Sequence, residues 1–225
     1  MELQVETLYR CDPDGRLRCV NEPGDPIAPR FFMGRTPGGN LWRFKHDLPD
    51  DLVQALERLC RAEPVSADLA RPPRHYAAVR AALHAHAPIV SEFRGPAYRA
   101  PADIQPLPGA ILVTQASAQI LERWFADFLP HWDAAQLVAA VVEQGAAVAV
   151  CFCSRVTARA AEAGVETIPA FRGRGYAAAT VTTWAAEVRR RGLLPLYSTS
   201  WDNLASQGVA RKLGMQRYGE DWSIM

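Results

Sequence analysis

Apolar positions fall into two textures along the chain. Up to about residue 104, short apolar runs are broken by Pro and Gly. Leu8–Cys11 and Arg16–Val20 flank Asp12-Pro13-Asp14-Gly15, turn chemistry that predicts a hairpin. Phe31–Met33 and Leu41–Phe44 flank Pro37-Gly38-Gly39-Asn40 and predict a second hairpin. Leu52, Leu56 and Leu59 recur at helical spacing, so a helix is expected from Pro49 to Arg61. A second helix is expected from Arg74 to His86, and a strand from Val90 to Tyr98.

Pro96, Pro101, Pro106 and Pro108 then mark a boundary. The expected organisation is an N-terminal α+β domain over 1–104 and a second domain over 105–225. In the second, Ile111–Thr114 predicts a short strand. Ser117–Phe128 predicts a helix whose Trp124, Phe125 and Phe128 read as core. Gln136–Glu143 and Ala146–Arg155 form an expected hairpin around Gln144-Gly145. Ala163–Ile168 is the next strand and Gly175–Arg191 a long helix. Leu194–Thr199, Asn203–Leu213 and Met215–Ser223 complete the order as strand, helix, strand. The fold class is therefore α/β in the broad sense, a mixed α+β chain.

Composition narrows the options. Apolar residues make up 49% of 225 residues and charged ones 22%, ordinary globular values. No apolar run approaches the ~18 residues of a membrane helix, and Met1-Glu2-Leu3-Gln4 lacks the look of a signal peptide. A cytoplasmic protein is expected. The net charge of +1 offers no global field for nucleic acid or an anionic membrane. Only Lys45 and Lys212 are lysines against many arginines, a bias that reads as bacterial. The five cysteines contain no C-x-x-C pair and read as packing residues in a reduced compartment, with no metal site.

Candidate chemistry concentrates in Val165-Glu166-Thr167-Ile168-Pro169-Ala170-Phe171-Arg172-Gly173-Arg174-Gly175-Tyr176-Ala177. A β-branched strand enters a Gly-rich turn, and the turn opens a helix. Gly173 and Gly175 let backbone N–H groups approach an anion. The helix N-terminus adds unpaired donors and its dipole, and Arg172 and Arg174 add charge suited to phosphate. The spacing is neither a P-loop nor G-x-G-x-x-G. A phosphate or pyrophosphate site and a plain strand-to-helix turn both remain open on these residues alone. Glu162 and Glu166 stand four apart; on a regular strand both face one side, as candidate general bases.

Arg172-Gly173-Arg174-Gly175-Tyr176-Ala177 resembles R-x-x-G-x-A, the acyl-CoA pyrophosphate loop of the GNAT superfamily of N-acetyltransferases. Asn203–Ser206 followed by Lys212-Leu213-Gly214-Met215 is similar to the N-x-x-S…K-L-G-F ending of that superfamily. The resemblance covers about 105–225. It implies a mixed, mostly antiparallel sheet flanked by helices, and acetyl-CoA as acyl donor. Val165, Thr167 and Ile168 would bind the pantetheine arm, and Arg172, Gly173, Arg174, Gly175, Tyr176 and Ala177 the pyrophosphate. Asn203 and Ser206 would touch the pantetheine or phosphate region. Many members carry a Tyr in the last helix as general acid; that position here is Ala210, a small residue expected to leave room beside the sulfur. Ser206 and Tyr218 are the substitute acids, and Glu166 the candidate base.

The implied function is acetyl transfer from acetyl-CoA to a primary amine by direct attack in a ternary complex. The N-terminal domain would shape the acceptor site, and a homodimer is left open. An inactive acyl-CoA-binding sensor or scaffold is the alternative, and a nucleotide-phosphate site a third.

Overall fold

A computed structural model describes residues 1–127 and 137–225. In chain order the elements begin α1 (Glu2–Leu8), β1 (Tyr9–Cys11), β2 (Leu17–Val20), β3 (Phe31–Thr36) and β4 (Gly39–Phe44). There follow α2 (Asp50–Ala62), α3 (Tyr76–His86), β5 (Glu92–Arg99), β6 (Ala110–Leu112), β7 (Val138–Glu143), β8 (Ala146–Val156) and β9 (Ala160–Thr167). The chain ends with α4 (Tyr176–Arg190), β10 (Leu194–Ser198), α5 (Leu204–Lys212) and β11 (Gln216–Ile224).

The chain folds as two compact units. One comprises residues 1–98, 198–204 and 217–225; the other comprises 99–197 and 205–216. The final strand thus counts with the N-terminal unit.

In the first unit the strands run β4-β3-β11-β5. β3 pairs antiparallel with both β4 and β11, placing Met33 opposite Trp42 and Trp222. Successive side chains of a strand face opposite ways. Phe31 and Met33 join Trp222, Ile224 and Phe44 under α2 and α3, where Leu56, Cys60, Val79 and Leu83 are buried. Phe32 instead packs with Val5 and Leu8 of α1 and with Leu17. The sheet is therefore covered on both faces. The helix α1 has no counterpart in the sequence reading, which placed its first element at Leu8.

In the second unit the strands run β10-β9-β8-β7-β6. β6, β7, β8 and β9 pair antiparallel, and β10 pairs parallel with β9. This is the mixed, mostly antiparallel sheet flanked by helices that was expected. Gln144 (φ +51) and Gly145 (φ +79) turn β7 into β8, a left-handed pair that suits a two-residue hairpin. Ala179 and Tyr176 of α4 pack on Val141, Val148 and Ala149. Val138, Ala140, Ala147 and Val150 form a separate cluster with Leu121 and Phe125.

Three local expectations are corrected. The helix expected over Ser117–Phe128 is a 3-10 run, Gln115–Leu121, followed by turns; Phe128 lies outside the described residues. Thr114 and Ser117 form a reciprocal capping box that starts the tighter coil. Phe125 is buried, but Trp124 is 46% exposed, with the Arg123 guanidinium 4.8 Å from its ring centroid. So Trp124 is not core. Strand β7 is described from Val138, while Gln136, its expected start, lies outside the described residues. Strand β9 begins at Ala160, three positions before the expected Ala163.

Candidate functional site

The site is built on the run from β9 into α4. β9 ends at Thr167, a 3-10 turn spans Pro169–Phe171, and Arg172 is extended. Gly173 then sits at φ +77 and Gly175 at φ +83. Both lie in the left-handed region that glycine occupies without a Cβ clash. Gly175 is the N-cap of α4, and no side chain caps that end. The N–H of Ala179 bonds to the Gly175 carbonyl. The N–H groups of the preceding turn lie ahead of this helical ladder, the usual orphan donors of a helix start.

Cations surround this turn. Arg172 Nε donates to the Thr167 carbonyl at 3.2 Å, and Arg174 Nη2 to the Ala170 carbonyl at 3.3 Å. The Arg174 guanidinium lies 5.0 Å from the Phe171 ring centroid. Lys212 Nζ, from the last turn of α5, comes within 3.6 Å of where a Gly175 Cβ would stand. Residues Arg172 to Gly175 are all exposed, so the donors and charges face open space. The Tyr176 hydroxyl donates to Glu143 on β7, and this hydrogen bond pushes its pKa up.

The strand leading in has an open side. β10 pairs with β9 only at Leu194, Pro195 and Leu196, the last opposite Glu162. Beyond that pair the two strands part, and Val165 to Thr167 keep β8 alone as neighbour. The Thr167 Oγ1 is buried with no hydrogen-bond partner among the described residues. A backbone edge and an orphan hydroxyl beside a cationic Gly-rich turn suit an extended, amide-bearing chain that ends in phosphates.

The fork also separates the two candidate carboxylates. Glu162 is flanked by strands on both sides and is 2% exposed, whereas Glu166 is exposed. The two residues thus differ in burial although they stand an even number of positions apart on one strand. A register shift in β8 between Cys153 and Arg155 lies opposite Glu162, and pairing to β10 ends there.

The other candidates take separate places. Asn203 precedes α5 and donates its backbone N–H to the Ser200 carbonyl. The Ser206 hydroxyl shares a short hydrogen bond with the Tyr197 hydroxyl. Tyr218 belongs to the first unit, where its hydroxyl donates to Gln4 Oε1; Gln4 Nε2 in turn donates to Asp221 at 2.9 Å. Ala210 is fully buried, so the room expected beside it is already filled by neighbours. Arg190 and Arg191 at the end of α4 both pair with Glu187. The sequence reading did not single out Lys212 or Tyr197, which the structure places beside Gly175 and Ser206 respectively. Lys212 carried a signal, being a lysine in an arginine-rich chain; Tyr197 carried none beyond its place on a strand.

Comparison with known proteins agrees with the resemblance read from the loop. Residues 138–223 match the model of the GNAT acetyltransferase family. No match was found among curated proteins. Solved structures similar to the chain include a putative GNAT-family acetyltransferase from Novosphingobium aromaticivorans. It is 20% identical with TM-score 0.48, over 60% of this chain and 65% of that one. A GCN5-related N-acetyltransferase-like protein from Streptococcus suis is 15% identical with TM-score 0.48, over 88% of this chain and 85% of that one. An aminoglycoside N-acetyltransferase in complex with CoA is 18% identical with TM-score 0.39, over 48% of this chain and 92% of that one. Among the described residues no helix is long and apolar enough to cross a membrane.

Proposed function

We propose that the protein transfers an acetyl group from acetyl-CoA to a primary amine, by direct attack within a ternary complex. The observation that carries this reading is the Arg172–Ala177 turn at the start of α4, exposed from Arg172 to Gly175. It joins two left-handed glycines, an uncapped helix N-terminus and nearby cations. In this reading the N–H groups of Gly173 to Ala177 hold the pyrophosphate, with Arg172, Arg174 and Lys212 balancing its charge. The open side of β9 at Val165 and Thr167, with Ile168 just past its end, takes the pantetheine arm, and Ser206 borders it.

Orientation supplies most of the rate. An amine held against the thioester carbonyl attacks carbon, and backbone N–H groups stabilise the oxyanion. The amine must lose a proton. Glu162, shielded from solvent at the fork, is better placed as general base than exposed Glu166. The test is incubation with acetyl-CoA and a broad panel of amines, read by mass spectrometry of products. Acetylated amine that forms only with protein present supports the reading. Tight acetyl-CoA binding with no acetylated product from any amine contradicts it.

A further inference from the structure

The fold places a second hydroxyl-bearing side chain at the fork, and it is not on the last helix. Tyr197 is the first residue of β10 beyond the last pair with β9, Leu196 opposite Glu162. It is 3% exposed, and its hydroxyl meets the Ser206 hydroxyl of α5. The Tyr197 hydroxyl also donates to the Ser206 carbonyl at 3.3 Å. Ser206 precedes Ala210 by one helical turn, so the two share a face of α5. Tyr197 therefore brings an acidic O–H from the strand to the helix face whose own residue 210 has none.

Resting on the acetyl-transfer reading, we infer that Tyr197 is the proton donor to the departing CoA thiolate, and that Ser206 positions its hydroxyl. Leu196 stands in register with Glu162, and successive strand residues point to opposite faces. Glu162 and Tyr197 thus address the fork from opposite sides, one for the incoming amine and one for the leaving sulfur.

The proton balance closes without another reactant. Amine nitrogen bonds to the thioester carbon and gives its proton to the base. The tetrahedral adduct collapses, the C–S bond breaks, and its electron pair goes to sulfur. The Tyr197 O–H protonates that sulfur, releasing CoA as a thiol. Tyrosinate regains a proton from solvent through the half-buried Ser206 hydroxyl, while the base returns its own proton to solvent.

The test is thiol release from acetyl-CoA, with an amine taken from the panel, by the intact protein and three variants. Tyr197→Phe keeps the ring and removes the proton; kcat should fall by roughly 10²-fold. Its acetyl-CoA Kd should match the wild type, and its melting temperature should fall only by the loss of one hydrogen bond. Ser206→Ala should slow kcat by roughly tenfold, and Ser206→Thr, which keeps the hydroxyl, should restore most of it. If Tyr197→Phe fails to fold, the Ser206 pair still decides. Near-native kcat in Tyr197→Phe, or equal rates for Ser206→Ala and Ser206→Thr, overturns the assignment while leaving acetyl transfer intact. A wild type that binds acetyl-CoA but never releases thiol overturns both.

Discussion

At Gly175 the backbone holds φ +83 and faces Lys212 across a gap that a side chain would enter. Asn and Asp both tolerate the left-handed region better than other residues. Gly175→Asn and Gly175→Asp therefore carry similar strain and differ in charge. If pyrophosphate sits on this turn, the Asp variant should bind acetyl-CoA at least roughly tenfold more weakly than the Asn variant, about 1.4 kcal/mol. Calorimetry reads the difference. Equal Kd values would remove the phosphate from this turn.

Cys60 is an independent residue-scale case. Burial pushes its thiol up from 9.0 to about 12. The unfolded chain ionises first, so the stability this thiol contributes is complete below about pH 9. It is lost as pH rises towards 12, at up to about 1.4 kcal/mol per pH unit. Cys60→Ala loses packing but also loses this slope. Urea unfolding should show the stability gap between wild type and Cys60→Ala narrowing from about pH 8 to about pH 10.5. A constant gap would show that Cys60 titrates alike in both states.

At the scale of elements, β5 and the segment after β10 approach closely. A Cβ on Gly95 would lie 1.7 Å from the Thr199 carbonyl oxygen. Two backbone hydrogen bonds clamp this contact, Thr199 N–H to Pro96 at 3.3 Å and Trp201 N–H to Arg94 at 3.1 Å. Gly95→Ala must push the two segments apart and should cost about 1–3 kcal/mol. The urea midpoint measures it, and an unchanged midpoint would contradict the packing.

Elements with strong punctuation were legible in the chain itself. Pro13-Asp14-Gly15, Pro37-Gly38 and Gln144-Gly145 each turn a hairpin, and Leu52, Leu56 and Leu59 lie on a real helix. What escaped depended on contacts distant in sequence. The helix α1 is only seven residues long and is held by Phe32 and Leu17 rather than by its own pattern. The Gly-rich turn could be read because glycine and helix start are local features. The unlike burial of Glu162 and Glu166 could not, because it is set by where β10 leaves β9. Tyr197 stayed hidden for the same reason, since its partner Ser206 lies on the next element.

At the scale of the molecule, the first unit is closed by segments that are distant in sequence and meet at one carboxylate. Glu220 on β11 is fully buried and binds three segments at once. Arg35 Nη1 reaches it at 2.6 Å, Trp201 Nε1 donates to it at 2.8 Å, and Arg94 pairs with it closely. The same arginines donate to the Arg71 and Ala70 carbonyls, tying in the loop before α3. Glu220→Gln keeps the shape but leaves the buried Arg35 and half-buried Arg94 guanidinium groups without their carboxylate. That loss should cost about 3–5 kcal/mol, read as a lower midpoint in urea. A loss under about 1 kcal/mol would mean water already screens the cluster.

Acetyl transfer itself is tested most directly by initial rates of thiol release from acetyl-CoA with the intact protein and each amine of a broad panel. The rate should rise above the protein-free background for at least one primary amine and should saturate in both substrates. Release that appears without an amine and stays unchanged when amines are added would contradict direct transfer. So would no release at all from protein saturated with acetyl-CoA.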